Sequence, residues 1–386
     1  MGILSWIEGT WLHSAFIPRD FINLLRPENR PSLWYYLGPE YDPRPYDDGL
    51  NNKPIISVLT IDLPEPIEHK GKTYRYFLPL SIVTYIEQTG GRVIPVLRGQ
   101  GLAYYKKLYS STNGFIAIGS MDSFSLGIDN ILAWQLSAAI IHASSHSEHK
   151  KITKIFMNLA EQGKAKGHDP FPIWGLGSLG MRQLLTLTKA NPKAKILPLH
   201  RRKCEEALRE APGRKVQFEG QNWKQSIFGR NMTMANDAVF NKRKATFHDH
   251  GLCIDRDDFK GHTSSDNWRI LTTTKVNLPN ERGVKAVSTL AHKERPIWAS
   301  LYRPDMNAFD WSKAENRVDQ DYPVPHDKDA IKAMFQVAKN FVQRARFNYN
   351  SFQTWMGMEK HIVFQCSSVT LKNILGRDAL NLYLFK

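Results

Sequence analysis

Cysteine is scarce in this sequence. Among 386 residues only Cys204, Cys253 and Cys366 occur, far apart and never as a CxxC pair. That argues against a disulfide framework or a zinc site and fits a reducing compartment. Long apolar runs are missing as well: nothing approaches the roughly 18 uninterrupted apolar residues of a membrane-spanning helix. The opening stretch MGILSWIEGTWLHSAF carries Glu8 and His13 where a secretory signal needs unbroken apolar character, and Trp6 stands where myristoylation needs Ser or Thr. A soluble or peripheral, intracellular protein is expected, without cofactor or resident metal. Acidic residues are in deficit too, 37 against 52 Lys and Arg, for a formal charge of +15. That imbalance calls for an acidic partner such as RNA, anionic lipid or an acidic protein surface.

What the sequence does contain is enough apolar residue, 42%, to bury a full core. Residues 1–52 are rich in Pro, Trp and Tyr without period 2 or 3.6 and read as an extended arm. From Lys53 the texture changes to short β-branched runs alternating with helical patterns, the signature of a parallel sheet wrapped by crossover helices. Strands are expected at 54–61, 92–97, 114–119 and 171–174, with helices at 78–90, 101–111, 152–167 and 179–190. Residues 171–190 thus form a strand, a glycine-rich turn and a helix, the junction where such an architecture would carry a nucleophile. Residues 191–250 turn basic and irregular, with HRRK at 200–203 and NKRK at 241–244. Strands resume at 268–274, 284–290 and 296–302, and DAIKAMFQVAKNFVQRAR (329–346) carries the apolar stripe of an amphipathic helix. Residues 350–386 form a second extension.

In order and spacing, several of these segments resemble the gamma-glutamyl hydrolase family: KPIISVLTID, YIEQTGGRVIPV, TNGFIAIGS, PIWGLGSLGMRQL, AVSTLAHKERPIWASLYRPD and HDKDAIKAMFQVAKNFVQRAR. The resemblance spans residues 53–349 and is poor over 191–250. It implies an α/β domain with a mostly parallel sheet and helices on both faces. The fold would be class I glutamine amidotransferase-like, of the flavodoxin-like three-layer kind, here with N- and C-terminal extensions. It further implies hydrolysis of gamma-linked glutamate by a cysteine in a Gly-Thr-Cys-Leu-Gly turn and a histidine in a Trp-His-Pro-Glu segment. A thiolate needs that histidine as base and backbone amides to hold the oxyanion.

Neither residue is present here. Counting from Trp174-Gly175 puts Gly177 at the nucleophile position, and counting back from Leu179-Gly180 puts Ser178 there with one residue inserted. Arg303 replaces the histidine and Asp305 the glutamate; the oxyanion turn reads Gly119-Ser120, and Ala291 stands where an acid is usual. Arginine cannot act as a general base at neutral pH. The expectation is therefore a non-enzymatic relative, a structural or accessory component that meets other proteins through 1–52 and 350–386. A mitochondrial assembly suits its charge. The alternatives are an active gamma-glutamyl or amide hydrolase using Ser178, and an anion-binding module built on Arg303 and Ser178 beside a helix N-terminus. His142, His146 and His149 with Glu148, or His248 and His250 about Asp249, have metal-ligand spacing but read equally well as polar linkers. Cys366 reads as a packed small residue.

Overall fold

The computed structural model describes residues 50–118, 131–188, 213–220, 234–248, 254–278, 281–309, 324–359, 361–363, 366, 368–371 and 380–386, with the side chains of the helix at 131–165 described from residue 147 onward. Residues 1–49 of the N-terminal arm, Gly119, Ser120, HRRK, Cys204, Cys253, Asp249 and His250 lie outside the described residues, as do the side chains of His142, His146 and Ser178.

Five short strands form the centre: β1 (Ile55–Leu59), β4 (Arg92–Val96), β5 (Gly114–Ile118), β6 (Ile173–Leu176) and β12 (Ile297–Ser300). They are apolar nearly throughout and buried on both sides, as strands between two helical layers must be. They lie parallel in the order β4-β1-β5-β6-β12, which in chain order is 2-1-3-4-5, the flavodoxin-like arrangement. The sheet is therefore mostly parallel with helices on both faces, as expected. Three antiparallel strands extend it beyond β12: β11 (Glu281–His292), β10 (Trp268–Leu278) and β8 (Val216–Phe218).

Strand pleating sorts side chains between two cores. Phe115 and Ala117 face one layer, where Phe115 stacks on Phe156 with ring centroids 4.3 Å apart. That layer holds α2 (Leu102–Ser111), α3 (Ile131–Ala165), α4 (Gly177–Leu187) and α6 (Arg256–Lys260). Ile116 and Ile118 face the other, with α1 (Leu80–Glu87), α5 (Met234–Lys242), α7 (Met306–Phe309) and α8 (Lys328–Ala345). Asp327 caps α8 by accepting from the amides of Asp329 and Ala330. The apolar stripe expected on that helix is buried.

Two regions differ from expectation. Residues 61–79, where the sequence pattern indicates no strand pair, form β2 (Ile61–His69) and β3 (Lys72–Pro79), joined by a tight turn in which Lys70 and Gly71 both have positive φ. Pro64 and Pro66 hide β2 from a pattern reading, since proline argues against a ladder strand; the register shifts between Asp62 and Ile67 to accommodate them. The described end of the C-terminal extension joins this pair: β14 (Leu380–Phe385) lies antiparallel to β3, with β13 (Ser368–Leu371) beyond it, and buries Leu382, Leu384 and Phe385. A short helix, α9 (Trp355–Glu359), precedes them. The basic 191–250 region is also less irregular than expected, because it supplies β8 and α5 as well as β7 (Gly213–Arg214) paired with β9 (Thr246–Phe247).

Candidate functional site

Strand β6 passes into α4 without an intervening residue. Gly177, the first helical residue, has φ +79°, a conformation costly for any residue with a Cβ. The backbone thus makes Gly177 the apex of the turn and Ser178 the next residue, in the first turn of α4. The turn is also too tight for side chains on either flank. A Cβ on Gly180 would sit 2.3 Å from the Ala117 carbonyl oxygen, and one on Gly175 would sit 2.7 Å from the Gly180 carbonyl oxygen. Glycine at 175, 177 and 180 is therefore what lets the start of α4 press against β5 and β6.

Beside this turn, β12 runs parallel to β6 with Leu176 opposite Ser300, so the residues after β12 emerge at the same end of the sheet. They include Tyr302, Arg303 and Asp305, all buried. Arg303 donates from Nε to Asp305 Oδ1 (2.8 Å) and from Nη2 to Asp305 Oδ2 (2.6 Å), a two-pronged pair with both side chains at 1% exposure or less. Ser81, on α1, donates to the same Oδ2 at 2.7 Å. The residues standing where the resemblance places a histidine and a glutamate thus bind each other. That geometry turns two donors of the Arg303 fork inward, away from any incoming anion.

Around the pair lies an apolar and phenolic wall. Tyr85 donates to the Met334 carbonyl (2.5 Å), and its ring meets Trp174, whose Nε1 donates to Ser300 Oγ (3.0 Å). Burial pushes the Tyr85 hydroxyl well above its ordinary pKa, with Tyr302 and Asp305 adding to the shift; burial raises Tyr302 as well. Both phenols are therefore protonated at neutral pH. The Arg303 amide donates to the carbonyl of Phe247, which brings His248 alongside: its ring lies edge-on to Tyr302 (centroids 5.7 Å apart), and its Nε2 is 3.0 Å from Ser288 Oγ. Ser81, Tyr85 and Ser288 carry no signal in the sequence, because nothing local marks a serine whose partner lies 224 positions away.

The other candidates separate. His149 Nε2 lies 3.0 Å from the Thr60 carbonyl, while the neighbouring Glu148 turns to the Gly99 amide and Arg98, so the two do not converge. Among the described residues no group of three His, Cys, Asp or Glu could hold a metal ion. Ala291 is packed in the core, and Cys366 is half-buried, its thiol pKa pushed up by burial. Arg243 of NKRK pairs with Asp327 and Asp329 at the surface.

No protein-family model matches the chain. Gamma-glutamyl hydrolase from Rattus norvegicus is 25% identical over 85% of this chain and 89% of its own length, and that from Homo sapiens is 24% identical over 86% and 89%. This chain resembles the gamma-glutamyl hydrolases over most of its length. Gamma-glutamyl hydrolase 2 from Arabidopsis thaliana is 24% identical over 79% of the chain and 75% of its own length. A solved GMP synthase-like protein from Thermoplasma acidophilum overlays 80% of this chain and 98% of its own, at 11% identity and a TM-score of 0.37.

These homologues overturn the expectation that the chain is not an enzyme. The match to hydrolases runs through the strands and the turn that build the site, and it points to a hydrolase-like protein. Absence of the family's cysteine and histidine does not by itself make the chain inactive. A nucleophile is defined by where a hydroxyl or thiol is held and what accepts its proton, and Ser178 still supplies a hydroxyl at the turn.

Proposed function

We propose that this protein is a hydrolase of gamma-glutamyl or related amide bonds, with Ser178 as nucleophile. The observation that carries the reading is the strand-to-helix turn: Ser178 is the first hydroxyl-bearing residue after Gly177, whose φ is +79°, and it lies in the first turn of α4, where helix N-terminal amides favour a developing negative charge. The homology to gamma-glutamyl hydrolases supports the choice of bond. In this reading Ser178 Oγ bonds to the amide carbonyl carbon, its proton passes to the leaving nitrogen, and water then releases the acyl group as a carboxylate. Arg303 is held by Asp305 and stays protonated, so it cannot carry that proton.

The test is turnover of a poly-gamma-glutamyl peptide by purified protein and by Ser178→Ala, with far-UV circular dichroism confirming that both fold. The substitution should lower turnover by a factor on the order of 10³ or more. Equal turnover in the two proteins would overturn the serine assignment, and no turnover by the natural sequence would overturn the hydrolase reading for this bond. An association with other proteins through 1–52, in a mitochondrial setting, is a further reading motivated by the charge of +15, whereas the described end of 350–386 is packed on its own chain as β14. Co-purification from organelles of the native host would test it.

A further inference from the structure

One outer face of the molecule is charged in a way that the site at the strand ends does not use. Helices α2, α3 and α4 lie side by side over the sheet. At one end the Glu148 carboxylate of α3 accepts from the Gly99 amide just before α2, and on the far flank Thr153 of α3 donates to Gln183 of α4 at 3.0 Å. Each helix buries its apolar stripe in the same core, so the opposite stripes form one broad outward surface.

That surface carries Lys106 and Lys107 from α2, Lys150, Lys151 and Lys154 from α3, and Arg182 from α4, all exposed. Neither α2 nor α4 contains an acidic residue. On α3 from residue 147 onward the acids are Glu148, engaged by Arg98 and the Gly99 amide, and Glu161 near the other end, paired with Arg295. None of the six cations is ion-paired with a described carboxylate. A basic helix face is usually interleaved with acids that balance it; here two of the three helices have none, and the two acids on the described part of α3 are held by Arg98 and Arg295 instead.

We infer that this three-helix face docks on an anionic lipid surface. Three features select a bilayer over nucleic acid. The face is built from helices packed in one layer and so is broad enough to lie on a plane. Five of its six cations are lysines, which act as point charges and lack the bidentate fork suited to reading bases. Its tyrosines, Tyr104 and Tyr109, are packed toward the core rather than offered for base stacking. At the edge of the same face Leu102, in the first turn of α2, is 51% exposed, the most exposed large apolar side chain among the described residues, and can enter the headgroup boundary. No described helix is long and apolar enough to span a membrane.

The experiment is co-sedimentation of the full chain with sucrose-loaded phosphatidylcholine vesicles, with and without about 30% phosphatidylserine. Binding should be at least roughly tenfold stronger to the anionic vesicles and should fall away near 0.5 M salt, roughly where the Debye length has shrunk to a few ångströms. The triple variant Lys150→Glu, Lys151→Glu, Lys154→Glu should lose the preference, while Lys332→Glu, on the exposed side of α8 in the opposite helical layer, should keep it. Equal binding to both vesicle types would overturn the inference, as would equal loss in the two variants, which would mark bulk charge. Retention of a single-stranded RNA oligonucleotide that the triple variant abolishes, without vesicle binding, would overturn it in favour of nucleic acid.

Discussion

Arginine at 303 and aspartate at 305 are two positions apart on one turn, yet their significance depends on their burial. A carboxylate taken out of water is tolerated only when paired and hydrogen-bonded, and Asp305 receives Arg303 twice and Ser81 once. Arg303→Met is accordingly expected to destabilise the fold by about 3–5 kcal/mol, because it strands that charge. Arg303→Met combined with Asp305→Leu should cost far less, and urea unfolding midpoints of the two variants would check the order. His292 makes a different kind of point. Its Nδ1 accepts from the Glu294 amide and its ring edge meets Trp268, and burial, followed by Arg295, Lys164 and Lys293, lowers its pKa to about 4. The folded state therefore resists a proton that the unfolded chain accepts below about 6.5. The stability due to neutral His292 is present above pH 6.5 and is lost as the pH falls toward 4, about 3 kcal/mol in all. Denaturant titrations at pH 7, 5.5 and 4 should show this loss, and His292→Gln should flatten it.

At the scale of elements, the β6–α4 turn carries the tightest glycine approach among the described residues. A methyl on Gly180 would meet the main-chain oxygen of Ala117 and the main chain of Gly175, neither of which can rotate away. Gly180→Ala is expected to cost about 3 kcal/mol, at the upper end of overpacking changes. Gly261→Ala, whose Cβ would find ordinary contacts at 3.6 Å and beyond, should stay within about 0.5 kcal/mol. Thermal melts of the two variants would compare them. The turn was legible in the sequence because glycines at 175, 177 and 180 punctuate an apolar strand and an apolar helix stripe. The helix at 328–345 was legible for its stripe and its capping aspartate. The β2–β3 hairpin was not, since its two prolines and shifted register break the alternation that a pattern reading depends on.

For the whole molecule, the five-strand parallel order follows from chain segments whose apolar runs and spacing announce strands and crossover helices. The antiparallel flank β11-β10-β8, by contrast, depends on which edge remained open after β12 was placed. Chain order likewise could not show that the end of the chain returns to β3, because β14 is a short strand whose partner lies some 300 residues earlier. A surplus of basic residues could be counted from composition, but whether it was spread or gathered required the packing of α2, α3 and α4 into one layer.

The sequence by itself determined the α/β class, the glycine turn, the likeness to gamma-glutamyl hydrolases and the absence of that family's cysteine and histidine, since all of these are carried by local patterns or residue identity. Only the tertiary structure decided that Arg303 is consumed by Asp305 and Ser81, that His248 stands beside it, and that six cations share one face. Each of those facts is a contact between segments distant along the chain, and burial and pairing, rather than residue type, set what a charged group can do.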